Sequence, residues 1–124
     1  MNKSNKDLAS SFLKLVTKGN IEEAFAKYIS DNFKHHNMYF SSDPDSLKKG
    51  MLENQSLHPD KLFEIKHLIE ERDIVIAHSH LRFNKEEEGL IVVHIMKFED
   101  GKITEMWDVG QQIPTNSKNE LGAF

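Results

Sequence analysis

Val93-His-Ile-Met-Lys-Phe-Glu-Asp-Gly-Lys-Ile-Thr-Glu-Met-Trp-Asp108 decides how the rest of this chain is read. Two runs rich in apolar and β-branched residues flank Asp100-Gly101. Asp-Gly is a preferred pair for a type I′ turn, whose positive φ angles suit the twist of a hairpin. Leu90–Glu99 and Lys102–Gln112 are therefore predicted to be adjacent antiparallel strands. Regular pairing across a two-residue turn sets His94 opposite Trp107 and Val93 opposite Asp108, which would point His94 and Asp108 to opposite faces. A β-bulge between Met106 and Asp108, or between His94 and Phe98, would bring them to one face, and bulges recur beside active sites.

Upstream of the hairpin, period two holds in two further runs. Phe63, Ile65, His67 and Ile69 alternate with mainly polar residues, Arg72-Asp73 turns the chain, and Ile74 to Phe83 forms a more apolar strand ahead of the acidic loop Asn84 to Gly89. Before Lys61 the period is helical. Leu8, Phe12, Leu15 and Val16 stripe a helix that starts in a capping-box-like Ser4/Asp7 pair and stops at Gly19. Asn20 is expected to cap a second helix carrying Ile21, Ala24, Phe25, Tyr28 and Ile29. Ser30 to Phe40 reads as a polar entry followed by a short extended segment. Asp43-Pro44 opens a third helix with Leu47, Met51 and Leu52, ending near His58-Pro59. Three helices followed by four long strands imply an α+β domain in which helices cover one face of a curved antiparallel sheet and enclose space beneath them.

His94-x-Met96-Lys97-x-x-Asp100-Gly101-Lys102-Ile103-x-Glu105-x-x-Asp108, with Glu105-Met106-Trp107-Asp108 at its end, resembles the closing hairpin of the SnoaL-like polyketide cyclases of the nuclear transport factor 2-like superfamily. The resemblance extends over most of the chain. It implies a cone-shaped, cystatin-like fold: a curved antiparallel sheet of four long strands plus a short one on three N-terminal helices, all in a single domain spanning 1–124. The segment 114–124 would be a C-terminal tail whose aromatic end folds back over the pocket or stays free. This superfamily hosts enzymes, binding modules and interaction domains on one scaffold, so function rests on the residues of the site.

Asp108 sits near the end of an apolar strand, a setting that suits a carboxyl to acid/base work; the plainer reading is a solvated strand end. The resemblance makes Asp108 the general acid/base and His94 the residue that binds and polarises the substrate. Histidine alone on an apolar strand is more often core, and the case for His94 depends on pairing with Asp108. His35-His36-Asn37 resembles the His-Asn segment that overhangs the pocket in the family, although Met38 stands where proline usually follows; an exposed loop turned by Asn37 is the alternative. With Trp107 of the hairpin motif, His36 and Asn37 are candidate substrate-binding residues. His78 and His80, at i and i+2, share a face and are read as hydrogen-bonding groups of the cavity wall or of a dimer surface. A shared metal would need a third ligand, and no His-x-Glu or Glu-x-x-His spacing accompanies them, so no metal is expected.

Sixteen basic and twenty acidic residues are mixed along the chain for a formal charge of -4, without the basic stripe that nucleic acid requires. Cysteine is absent, no apolar signal core follows the polar start, and no run of about 18 apolar residues occurs, which points to a soluble, cytoplasmic protein with no membrane partner and no span. Neither a Gly-x-Ser-x-Gly elbow nor a glycine-rich phosphate loop is present. With Arg72 and Arg82 the only arginines and Lys97 in the motif, the aspartate-arginine-aspartate arrangement of limonene-epoxide hydrolases is disfavoured.

These features suggest a cofactor-independent acid/base enzyme acting on a small hydrophobic carbonyl compound. Asp108 would remove a proton beside the carbonyl, and His94, with His36 or Asn37, would hold the oxygen. A non-catalytic ligand-binding or dimerisation module is the alternative, and a dehydratase-like enzyme using aspartate with His78 and His80 a third. Apolar residues on both faces of the Ile74–Phe83 and Leu90–Phe98 strands suggest a homodimer through the outer face of the sheet.

Overall fold

Ser4 begins the first helix by accepting the Asp7 N–H on its side-chain oxygen at 3.1 Å. In the computed structural model, which describes residues 3–124, α1 runs Asn5–Thr17 and α2 Ile21–Tyr28. Gly19, at φ 92°, supplies the left-handed residue that ends α1 while the Asn20 N–H returns to the Leu15 carbonyl at 2.9 Å. Asn20 precedes α2 without a side-chain capping bond, contrary to expectation. Ile29 also leaves the helix: its N–H closes the last turn on Phe25, and the residue opens β1 (Ile29–His35) by pairing with Ile103. The extended segment therefore comes earlier than expected, and 36–40 forms the turn. Asp43 caps α3 (Pro44–Leu57), accepting the Ser46 N–H at 2.8 Å, with proline at the first helical position where a missing donor costs nothing.

The remaining chain is a meander of β2 (Leu62–Glu71), β3 (Ile74–Arg82), β4 (Leu90–Glu99) and β5 (Lys102–Gln112). The sheet order is β1-β5-β4-β3-β2. Three pairings are antiparallel, but β1 runs parallel to β5, so the sheet is mixed rather than wholly antiparallel. The cause is the abrupt α2–β1 junction, which sends β1 along the free edge of the hairpin in the direction of β5. Lys102 fastens the same junction by donating to the Lys27 carbonyl at 2.7 Å, placing a cation at the negative end of α2.

Asp100 and Gly101 have φ of 51° and 77°, as a type I′ turn requires. Beyond the turn the β4–β5 register breaks between Lys97 and Phe98: Phe98 pairs with Ile103, whereas Lys97 pairs with Glu105. Thr104 is the extra residue. A second break lies in β2, where Ile65 pairs with Ser79 and His67 with His78, leaving Lys66 extra. Bulges increase local bend and twist, and these two curl the sheet around the helices. The β2 bulge also corrects the expected apolar face. Phe63, Ile65 and Leu68 pack on the core, while His67 and Ile69 turn outward.

The core joins Phe12 of α1 to Phe25 and Tyr28 of α2, with ring centroids 6.2 and 6.3 Å apart. Below them lie Val75, Ala77, Met96, Phe98, Ile103 and Met106 from the inner face. Burying a side chain such as Phe12 contributes about 1.5–3 kcal/mol. The cavity adjoins this core between α1, α3 and the inner strands, and Phe12, Leu13, Leu47 and Met106 belong to both. Among the described residues, no helix is long and apolar enough to cross a membrane.

Candidate active site

The turn after β1 is built around His35 and Asn37. His35 is buried, and its Nε2 lies 2.8 Å from the Ser41 carbonyl and 3.2 Å from that of Asp43, so Nε2 carries the proton. Nδ1 is then free to accept the Asn37 N–H at 3.3 Å. Asn37 accepts the Tyr39 N–H on its side-chain oxygen at 3.0 Å. Its amide nitrogen is left pointing across to β5, where it donates to Asp108 Oδ2 at 3.0 Å.

Asp108 pairs directly with His94 across β4 and β5. Side chains so paired share a face, with Cβ atoms about 4.5–5.5 Å apart. The Thr104 bulge produces this arrangement; its extra residue lies in β5 opposite the Lys97–Phe98 step, and so falls in neither of the two intervals expected for it. Both residues, together with Asn37, line a cavity of about 250 Å³ whose wall is otherwise mainly Phe, Leu, Val and Met side chains from α1, α3 and the inner strands. His94 Nδ1 is buried without a hydrogen-bond partner among the described residues. Burial pushes the imidazole below its ordinary pKa, and the nearby Asp108 carboxylate pulls the other way without cancelling the effect. A neutral imidazole beside an aspartate and an amide donor can take up and return a proton, and can stabilise charge on an oxygen.

Four residues expected at the site lie elsewhere. Trp107 is one step from Asp108 and points to the opposite, outer face, where His36 stacks on it at 5.0 Å and 7°. His36 Nε2 is 2.6 Å from Glu105 Oε2, so this histidine is bound to the sheet exterior. His78 and His80 also face outward, because the fully buried Val75, Ala77 and Ser79 occupy the inner positions of β3. His78 Nδ1 lies 2.9 Å from His67 Nδ1, and His80 Nε2 donates to the Glu88 carbonyl at 2.7 Å. Phe124 covers both, its ring 5.3 Å from His78 and 4.8 Å from His80, so the tail folds over the outer face and not over the cavity. The hollow beneath the tail is larger, about 580 Å³, but it lies across the sheet from Asp108 and His94. Among the described residues no cluster of three or more His, Asp or Glu is placed to hold a metal ion.

The model of the SnoaL-like polyketide cyclase family matches residues 6–117. The chain belongs to that family. Solved structures with the same fold include a SnoaL-like polyketide cyclase from Agrobacterium tumefaciens (16% identity, 89% of this chain and 93% of that one, TM-score 0.71). A putative polyketide cyclase from Bacillus cereus is similar at 22% identity, covering 83% of this chain and 72% of the other with a TM-score of 0.70. An NTF2-like protein of unknown function from Cytophaga hutchinsonii aligns at 14% identity over 90% and 93% of the two chains, with a TM-score of 0.71. No curated protein matches the sequence.

In this SnoaL-like chain three cavity-organising residues escape the sequence reading. His35 and His36 are neighbours on opposite faces, and the pattern alone does not choose between them. Asn54 lines the cavity at helical spacing from Leu47 and Met51, and Lys61 keeps the parity of Phe63 and Ile65. Those spacings are the only sequence signal for either, and for a polar residue they do not separate cavity wall from solvated surface.

Proposed function

We propose that this SnoaL-like protein is a cofactor-independent acid/base enzyme that removes a proton from carbon next to a carbonyl, leading to aldol-type cyclisation or isomerisation. The observation that carries this reading is the direct cross-strand pairing of His94 with Asp108 on the cavity face, with Asn37 holding one carboxylate oxygen. Asp108 takes the proton through its free oxygen. Electron density moves onto the carbonyl oxygen, where neutral His94 donates a hydrogen bond that strengthens as charge develops. The mainly apolar wall around them favours both interactions over those in bulk water. The carbonyl is the electron sink, so the step calls on no cofactor. With His78 and His80 outside the cavity, a dehydratase built on them loses its support.

Deuterium uptake at carbons beside carbonyls, followed by proton NMR in D2O over a panel of one-ring ketones and 1,3-dicarbonyl compounds, tests the reading. Wild type accelerates exchange of at least one compound, and Asp108→Asn loses at least 100-fold of that acceleration, the scale of general acid/base catalysis. Saturable binding without any exchange would favour the non-catalytic binding module instead.

The outer face supports a further element of the reading, a homodimer. Ile74, Ile76, Ile91, Val93, Ile95 and Trp107 form a contiguous set there, each only partly buried, and Val109 beside them is 63% exposed. Contiguous apolar surface of this kind marks an interaction site. Sedimentation equilibrium at micromolar concentration tests it, and a monomer would count against it.

A further inference from the structure

The cavity contains a second charged group that the proposed proton transfer does not use. Lys61, just ahead of β2, lines the same wall as Asp108. Its ammonium donates to the neutral Asn54 Oδ1 at 2.7 Å, and among the described residues no carboxylate lies within 4.0 Å of it. Nor does it serve as a cap for α3, since the bond goes to the Asn54 side chain while the His58 N–H takes the Asn54 carbonyl. Asp108 and Lys61 thus share one cavity as unlike charges that do not pair. Their strands, β5 and β2, are three spacings apart in the sheet, roughly 14 Å of backbone separation at about 4.8 Å per spacing. The cation and the carboxylate thus enter the cavity wall from non-adjacent parts of the sheet.

We infer that Lys61 is the anion-recognising end of the cavity, and that the ligand is a one-ring or short-chain carbonyl compound carrying a carboxylate at the end remote from Asp108. Two of the ammonium's three donors remain for the ligand. Burial without a counter-ion lowers the Lys61 pKa, and a ligand carboxylate would offset that loss of hydration. Repulsion from Asp108 steers the anionic end toward Lys61, so the two charges set the orientation of the ligand and deliver its carbonyl to His94. Size is compatible with this: about 250 Å³ lies just under the small end of the usual range of roughly 300–1,000 Å³ for ligand pockets, which suits a small occupant. The carbonyl part of this inference rests on the acid/base reading above; the anion part does not.

The two parts separate with 4-acetylbenzoate and its uncharged parent acetophenone as probes. Binding is followed by NMR titration of the protein, and chemistry by deuteration of the acetyl methyl group. Wild type binds 4-acetylbenzoate at least tenfold more tightly than acetophenone. Lys61→Met, which keeps most of the apolar stem, loses that preference, and Lys61→Arg retains it. Asp108→Asn keeps the preference while losing deuteration. Equal or absent binding of the two probes by wild type, or a preference that survives in Lys61→Met, overturns the role of Lys61 whatever the deuteration shows. A Lys61-dependent preference with no deuteration by wild type sustains the anion site and overturns the acid/base reading alone.

Discussion

His94→Leu is expected to stabilise the protein while removing its chemistry. The imidazole places a buried Nδ1 on the inner face without a partner among the described residues. An unsatisfied buried polar atom costs about 1–3 kcal/mol, whereas leucine fills similar space with apolar surface. Against this stands the loss of a polar neighbour for Asp108, worth no more than about 1 kcal/mol, because Asn37 still donates to that carboxylate. The balance is about 1 kcal/mol in favour of leucine, or on the order of 4 °C in Tm for a domain of this size. pH sharpens the comparison. Burial holds the folded His94 below its ordinary value of 6.5, so below that pH the unfolded chain binds a proton that the native site does not, and stability falls as pH falls. At pH 5.5 this penalty reaches at most about 1.4 kcal/mol, and the variant is free of it. The other six histidines are common to both proteins and cancel in the difference. Thermal unfolding at pH 8 and pH 5.5 therefore gives a more stable variant at both, by a margin that widens in acid. A variant less stable than wild type at pH 8, or a margin that does not widen, would refute the assignment of His94 as a group held in place at a cost in stability.

Deleting Thr104 should leave a folded protein in which His94 still pairs with Asp108, since the registers on either side of the bulge then join without a break; the loss is the 3.3 Å bond to the Lys97 carbonyl, about 1 kcal/mol. Deleting Met106 instead forces Glu105 onto the buried face and should abolish cooperative melting, so equal behaviour of the two deletions in thermal unfolding would sink the bulge argument. Ile95→Glu, on the outer face, should halve the mass seen in sedimentation while leaving cavity-dependent deuterium exchange within a few-fold of wild type.

Much of this architecture was legible because several local signals agreed. Ser4, Asp43-Pro44 and Asp100-Gly101 each satisfy a backbone requirement at one place, and no long-range contact is needed to interpret them. The hairpin motif carried the family and, through it, Asp108 and His94. What resisted reading was parity. Phe63, Ile65, Leu68 and Ile103, Met106 all pack inward, and in each set one interval is three residues where alternation demands two. That odd interval is the trace of a bulge. It is weak, because an apolar residue beside a strand's buried face is common on an exterior that is itself apolar, as Ile95 and Trp107 are here.

The misplaced residues follow from the same ambiguity. His36 stands one residue from His35, which shapes the loop, and Trp107 one residue from Asp108; His80 stands one residue from the inward Ser79 and Leu81. On a strand, a single step exchanges cavity for exterior. Composition and motif could therefore bring the right segments to the site but could not choose between neighbours within them. Asn37 is the exception because its position depends on a turn, where the side chain is directed by its own hydrogen bond to Tyr39 and not by strand alternation. Lys61 is inconspicuous in the sequence for a complementary reason. A lysine before a strand reads as solvated surface, and only the closure of α3 over the strand ends turns that surface into the wall of a cavity. The residue proposed to select the ligand is thus brought to the cavity by tertiary closure, while the two proposed to move and balance the proton, Asp108 and His94, lie within a single hairpin and are joined there by Asn37 from the turn after β1.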